Sequence, residues 1–65
     1  HFEVTEDSVL YGKTSATARL REDYSSLLVA IQRDTRYIEP TGQEVFMAGD
    51  ILWVVGDSKK LASLS

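Results

Sequence analysis

Ser26-Leu27-Leu28-Val29-Ala30-Ile31-Gln32-Arg33 is the stretch whose reading decides the fold. Strict alternation puts Leu27, Val29, Ile31 and Arg33 on one face of a strand and Leu28 and Ala30 on the other, in a run too short for a stand-alone helix. Arg33-Asp34-Thr35-Arg36 is a tight polar reversal, after which Tyr37-Ile38-Glu39 returns antiparallel. Pro40 removes a ladder donor and holds Glu39 extended, so that strand ends at the Pro40-Thr41-Gly42 turn. A second strand with two apolar faces, Ile51-Leu52-Trp53-Val54-Val55, is entered through the Ala48-Gly49-Asp50 turn and ended by Gly56.

Working outward, Phe2 and Val4 alternate with Glu3 and Thr5, which predicts a short first strand. Lys13 to Glu22 predicts one or two helical turns capped by Thr14 or Ser15, since Ala16, Ala18 and Leu20 favour helix while the hydroxyl residues compete for backbone bonds. Asp57 or Ser58 caps a short final helix with Leu61 and Leu64 on one apolar stripe. The fold class is α+β, with an antiparallel sheet of about four strands in the order β-α-β-β-β-α and two short helices, one domain over residues 1–65. Two strands apolar on both faces need two covers, and 65 residues supply about one core layer. A homodimer is therefore expected, with a sheet curled into a half barrel as the alternative.

Composition narrows the function. With 43% hydrophobic and 26% charged residues the chain is globular, and the absence of cysteine removes disulfides and thiolate metal sites. A net charge of -3 has the wrong sign for phosphate backbones or anionic lipid, so nucleic acid is not expected as a partner. The longest apolar runs, Leu27 to Ile31 and Ile51 to Val55, fall far below the roughly 20 residues that span a bilayer, so no direct membrane insertion is expected. His1-Phe2-Glu3-Val4 has neither an initiator Met nor a signal segment, which predicts a piece of a longer protein.

Few residues offer chemistry. Gly12-Lys13-Thr14 ends like a phosphate-binding P-loop, but Asp7 stands where that motif needs glycine, and a helix-starting turn accounts for it. The only histidine, His1, is terminal, so no nucleophile-base pair can be assembled. Glu6/Asp7 and Glu22/Asp23 are sequence neighbours pointing different ways, suited to solvation or capping. Neither zinc nor calcium spacing is present, so no metal and no catalysis are expected. Arg33 closes the doubly apolar strand, where it serves either an anionic ligand or, more commonly, solvent. Trp53 fits core or interface packing better than ligand stacking, and Asp50 fits a bond to its own turn's amides.

Leu28-Val29-Ala30-Ile31-Gln32-Arg33, Ile38-Glu39-Pro40 and Ala48-Gly49-Asp50-Ile51-Leu52-Trp53-Val54-Val55-Gly56, preceded by Gly12-Lys13-Thr14 and Leu20-Arg21, together resemble the TrkA-C family from Phe2 to Leu64. These are the C-terminal regulatory domains of RCK proteins. The phrase from Ile31-Gln32-Arg33 through Gly49-Asp50 to Val55-Gly56 is most similar to copies fused behind bacterial monovalent cation:proton antiporters, usually after a Rossmann-type nucleotide-binding domain. The resemblance implies a compact α+β domain that dimerises and couples ligand binding to transport of potassium or another monovalent cation. It further implies a position on the cytoplasmic face of the bacterial inner membrane, with the transporter membrane domain and the Rossmann-type domain as partners.

In some relatives cyclic di-AMP lies between two copies, held by aliphatic residues and an arginine of the strand resembling Leu27 to Arg33, and by an asparagine before the proline. The candidate ligand residues implied here are Leu27, Val29, Ile31, Arg33 and Pro40. Glu39 stands in the asparagine position, where it cannot donate an amide hydrogen and brings a carboxylate toward a phosphodiester. The resemblance implies a nucleotide effector, with Glu39 counting against cyclic di-AMP specifically, and no cofactor is expected. The second reading is a ligand-free dimerisation module.

Overall fold

A computed structural model describes residues 1–64. Along the chain lie β1 (Phe2–Glu3), α1 (Ser15–Ala18), α2 (Leu20–Tyr24), β2 (Ser26–Arg33), β3 (Arg36–Ile38), β4 (Ile51–Gly56), α3 (Ser58–Leu61) and a closing 3-10 turn, Ala62–Leu64. The four strands form one antiparallel sheet in the order β1-β4-β2-β3. The expected α+β class and four-stranded sheet hold, and β2 has the expected bounds. The sheet is open, with β1 and β3 as its edges.

The expected two helices are corrected to three. Thr14 and Thr17 cap each other: the Thr17 amide donates to Thr14 Oγ1 at 3.1 Å and the Thr14 amide donates to Thr17 Oγ1 at 2.8 Å. Arg19 then turns left-handed, at φ 56, and the chain restarts as α2 at a new angle. Short hydroxyl side chains thus start a helix that they do not extend. Asp57 caps α3 by accepting from the Lys59 and Lys60 amides.

The decisive departure lies inside β2. Leu28 pairs with Val54 but Ala30 pairs with Trp53, so Val29 is an extra residue, a β-bulge. Beyond it the alternation inverts. Leu27 and Val29 remain exposed, at 56% and 52%, whereas Ile31 turns into the core opposite Leu52, both wholly buried. The expectation that Leu27, Val29, Ile31 and Arg33 share one face is therefore corrected, because period-two counting fails across an inserted residue.

One face of the sheet carries the core: Val4, Leu10, Ala18, Leu20, Leu28, Ile31, Phe46, Leu52 and Leu64. Phe46 enters from the loop between β3 and β4, held where the Gly12 amide donates to Phe46 O at 3.0 Å and the Phe46 amide donates to Lys13 O at 2.8 Å. Gly12, at φ 78, makes the turn that permits this, so Gly12-Lys13-Thr14 is the expected helix-starting turn. Leu27, Val29, Tyr37, Trp53 and Val55 are exposed hydrophobics, and His1 stacks on Trp53 with ring centroids 4.6 Å apart.

Gly56 closes β4 opposite Ser26, and a Cβ there would meet Ser26 Oγ and lie 2.7 Å from Ser25 O and Ser26 Cα. Two of those three atoms are backbone and cannot step aside. Gly56→Ala is expected to cost about 2 kcal/mol by overpacking, read as a fall of roughly 8–16 °C in the thermal midpoint.

Candidate functional site

Arg33 ends β2 and faces the loop of residues 39–50 rather than solvent. Its Nε donates to Asp50 Oδ1 and its NH2 to Asp50 Oδ2, each at 2.8 Å, a two-pronged grip. Its NH1 donates to Glu44 Oε2 at 3.1 Å, and NH2 also donates to Val45 O at 3.0 Å. Asp50 is buried, and its Oδ2 additionally accepts from the Met47 amide at 2.9 Å. Burial alone would raise the Asp50 carboxyl; the Arg33 hydrogen bonds, the Met47 amide and the Arg33 charge outweigh it and hold the group below its ordinary value. Hydrogen bonding to Asp50 raises the Arg33 guanidinium, against burial and with help from Glu44, so Arg33 stays charged at any relevant pH.

A cleft of about 400 Å³ opens elsewhere, bounded by α1, α2, the start of β2 and the turn after Pro40. Leu20, Leu27, Leu28 and Pro40 supply its apolar lining, and Ser15, Arg21, Glu22 and Ser26 its polar lining. Its shape is fixed by Ser15 Oγ, which donates to Thr41 O at 3.4 Å, and by Ser26 Oγ, which donates to Tyr24 O at 2.6 Å. A Cβ on Gly42 would sit 3.8 Å from Ala16 Cβ, in ordinary van der Waals contact with α1.

The five candidate residues are thus dispersed. Leu27 and Pro40 meet in the cleft, Val29 lies exposed on the bulge, Ile31 is core, and Arg33 is held by carboxylates. Glu39 is exposed and does not line the cleft. Asp50 does bind its own turn, as its position suggested, but its pairing with Arg33 and the part played by Glu44 were not foreseen. The one available signal was an aspartate set directly against an apolar strand, a position where a buried charge needs a cation. Among the described residues no group of three ligating side chains could hold a metal ion, and no helix is long and apolar enough to cross a membrane.

With the geometry in hand, the chain can be set beside known proteins. The model of the TrkA-C domain family matches residues 1–65. The RCK_C domain dimer of BusR from S. agalactiae, solved in complex with c-di-AMP, is similar at a TM-score of 0.79 and 29% identity, over 94% of this chain and 76% of that one. BusR in complex with its busAB-promotor DNA is similar at 0.79 and 29%, over 94% of this chain and 30% of that one. The complex with busA-promotor DNA gives 0.78, 29%, 94% and 31%. This chain therefore spans about a third of the DNA-bound BusR chain. No curated protein matches it.

The expected partner set, a transporter membrane domain and a Rossmann-type domain with no nucleic acid, is corrected by these likenesses, because the same fold occurs in a protein bound to promoter DNA. The charge argument read only this domain's own surface, whereas DNA-bound BusR has more than twice as much chain besides. The nucleotide effector expected from the resemblance agrees with c-di-AMP in the similar dimer.

Asp50→Asn leaves Arg33 without its main counter-charge in a buried setting, and an expected loss of about 2–3 kcal/mol is checked by urea unfolding. Acid titration gives the sign independently. The folded Asp50 carboxyl sits below its unfolded value, near 3.9, so the folded state binds fewer protons than the unfolded one and the stability it contributes is complete above about pH 4. That contribution is lost as pH falls through the folded value, and the thermal midpoint of wild type should drop more steeply below about pH 4 than that of Asp50→Asn.

Proposed function

The chain belongs to the TrkA-C domain family, and on that premise we propose that it is an effector-sensing module which works as a symmetric dimer and takes a cyclic dinucleotide in the cleft beside β2. The observation that carries the reading is the cleft of about 400 Å³ lined by Leu20, Leu27, Leu28 and Pro40, in a fold shared at 29% identity with a domain dimer that holds c-di-AMP. Apolar walls with a few polar groups suit a planar base next to a charged linkage. Leu27 and Pro40 contact the ligand, Ile31 supports the strand from the core, and Arg33 holds the loop that frames the site. Val29, Trp53 and Val55 supply an apolar surface for the second copy, each such side chain being worth roughly 1.5–3 kcal/mol when covered.

Sensing is the extent of this reading. The output belongs to the attached domain, transport in the antiporter-fused copies that the sequence resembles and promoter DNA binding in BusR. Glu39 is exposed and outside the cleft of one copy, so it counts against cyclic di-AMP only where a second copy brings a phosphate to it.

The isolated domain should respond to cyclic di-AMP in a thermal shift assay. At about 100 times its dissociation constant a ligand adds roughly 2.7 kcal/mol, which raises the midpoint of a domain this small by about 10–20 °C. A folded, dimeric sample with no shift would favour the ligand-free dimerisation module instead.

A further inference from the structure

We infer that the outer edge of β1, with the cleft beside it, is a docking site for an extended, basic segment of a partner protein, which adds to the sheet as a further strand. The site is separate from the effector cleft and does not depend on the sensing role proposed above. The sheet order leaves β1 at one edge, paired with β4 on its inner side alone. The Val4 amide donates to Asp50 O and Val4 O accepts from the Gly49 amide, each at 2.7 Å, so Val4 directs its backbone groups inward. Successive strand residues direct these groups to opposite edges, and Glu3 therefore turns its N–H and C=O outward, where an added strand pairs with them.

A cleft of about 410 Å³ lies along that edge, between β1 and the closing 3-10 turn. Phe2, Val9 and Leu64 give it apolar walls, and Val9, 53% exposed, is the wall that an incoming apolar side chain covers. Its charge is of one sign. Glu3 and Asp7 line it, no cation does, and neither acid is held in an ion pair among the described residues. Ser63 Oγ donates to Lys60 O at 2.7 Å, which leaves its lone pairs as a further acceptor. The neighbouring side chains of Phe2 and Glu3 project to opposite faces of the sheet, so a strand laid beside them matches both only if its apolar and basic side chains alternate.

A second copy is the wrong occupant. Antiparallel pairing of β1 with its own two-fold mate about Glu3 sets the two Glu3 carboxylates directly opposite, a destabilising like-charge pair. A phosphate-bearing partner meets the same two acids. The charge that blocks self-association at this edge thus selects a partner of opposite sign. The other edge strand, β3, carries Arg36 beside Tyr37 and does not draw a basic segment.

Amide NMR of the isotope-labelled domain, titrated with an acetylated and amidated pentapeptide of alternating valine and arginine, tests this. Amides of Phe2 to Val9 and of Ser63 and Leu64 are expected to shift. Glu3→Gln combined with Asp7→Asn should weaken binding about three- to tenfold, while the thermal midpoint stays within about 2 °C of wild type because both side chains are exposed. A valine–glutamate pentapeptide should not bind, and methylating the backbone nitrogens of the valine–arginine peptide, which keeps its charge and removes its main-chain donors, should abolish the shifts. No shift with the valine–arginine peptide overturns the inference and leaves Glu3 as a charge that only protects the edge. Shifts that arginine amide alone reproduces, that survive backbone methylation, or that centre on Arg36 to Ile38 overturn it as well.

Discussion

The contact on which the rest of the structure depends is the two-pronged bond between Arg33 and Asp50. β3 ends at Ile38 and β4 begins at Ile51, so residues 39–50 cross the domain without regular structure, a long excursion for so small a chain. The excursion carries Phe46 into the core and Pro40 to the cleft, and it must return to β4 in register. Asp50 is where it returns. A buried carboxylate is tolerable there only because Arg33 and the Met47 amide satisfy it, and the planar guanidinium accepts one orientation of its partner. Apolar residues of similar volume often match such a pair in raw stability but do not fix the direction of the chain. The bond is better understood as setting geometry than as adding strength.

The bulge at Val29 is the second constraint, and it works together with the first. Without the extra residue Ile31 and Arg33 would lie on the exposed face with Leu27, the core would lose its wholly buried Ile31–Leu52 pair, and Arg33 would point away from Asp50. With it, the first half of β2 offers Leu27 and Val29 outward, while the second half turns Ile31 and Arg33 toward the core and the loop. One strand thus serves an outward surface and an inward anchor by changing phase midway.

Much of this was legible in the sequence. The apolar run from Ser26 to Arg33 gave β2 its correct bounds, the Thr14 and Asp57 caps were marked by residue type, and Leu61 and Leu64 both pack with the core as their spacing implied. The phase change was not legible, since Leu28-Val29-Ala30 satisfies alternation equally well with or without a bulge and no glycine marks it. Nor was the partner of Arg33. Glu44 and Asp50 lie 11 and 17 residues away across an irregular loop, and opposite charge alone does not choose among ten acids. The second helix was hidden because a left-handed Arg19 has no residue-type signal, unlike a glycine in that place.

These two constraints explain why a motif match can keep a residue and change its task. Arg33 fits the family's strand-end arginine in position, yet here its charge is consumed within the fold, so the match alone does not make it a ligand residue. The chain as a whole carries -3, and beyond a Debye length of about 8 Å an anion feels little field and no attraction toward this surface. The net field thus gives no long-range pull on an anion, and any contact this surface makes with one has to be won at close range, by fit and local hydrogen bonding rather than by steering.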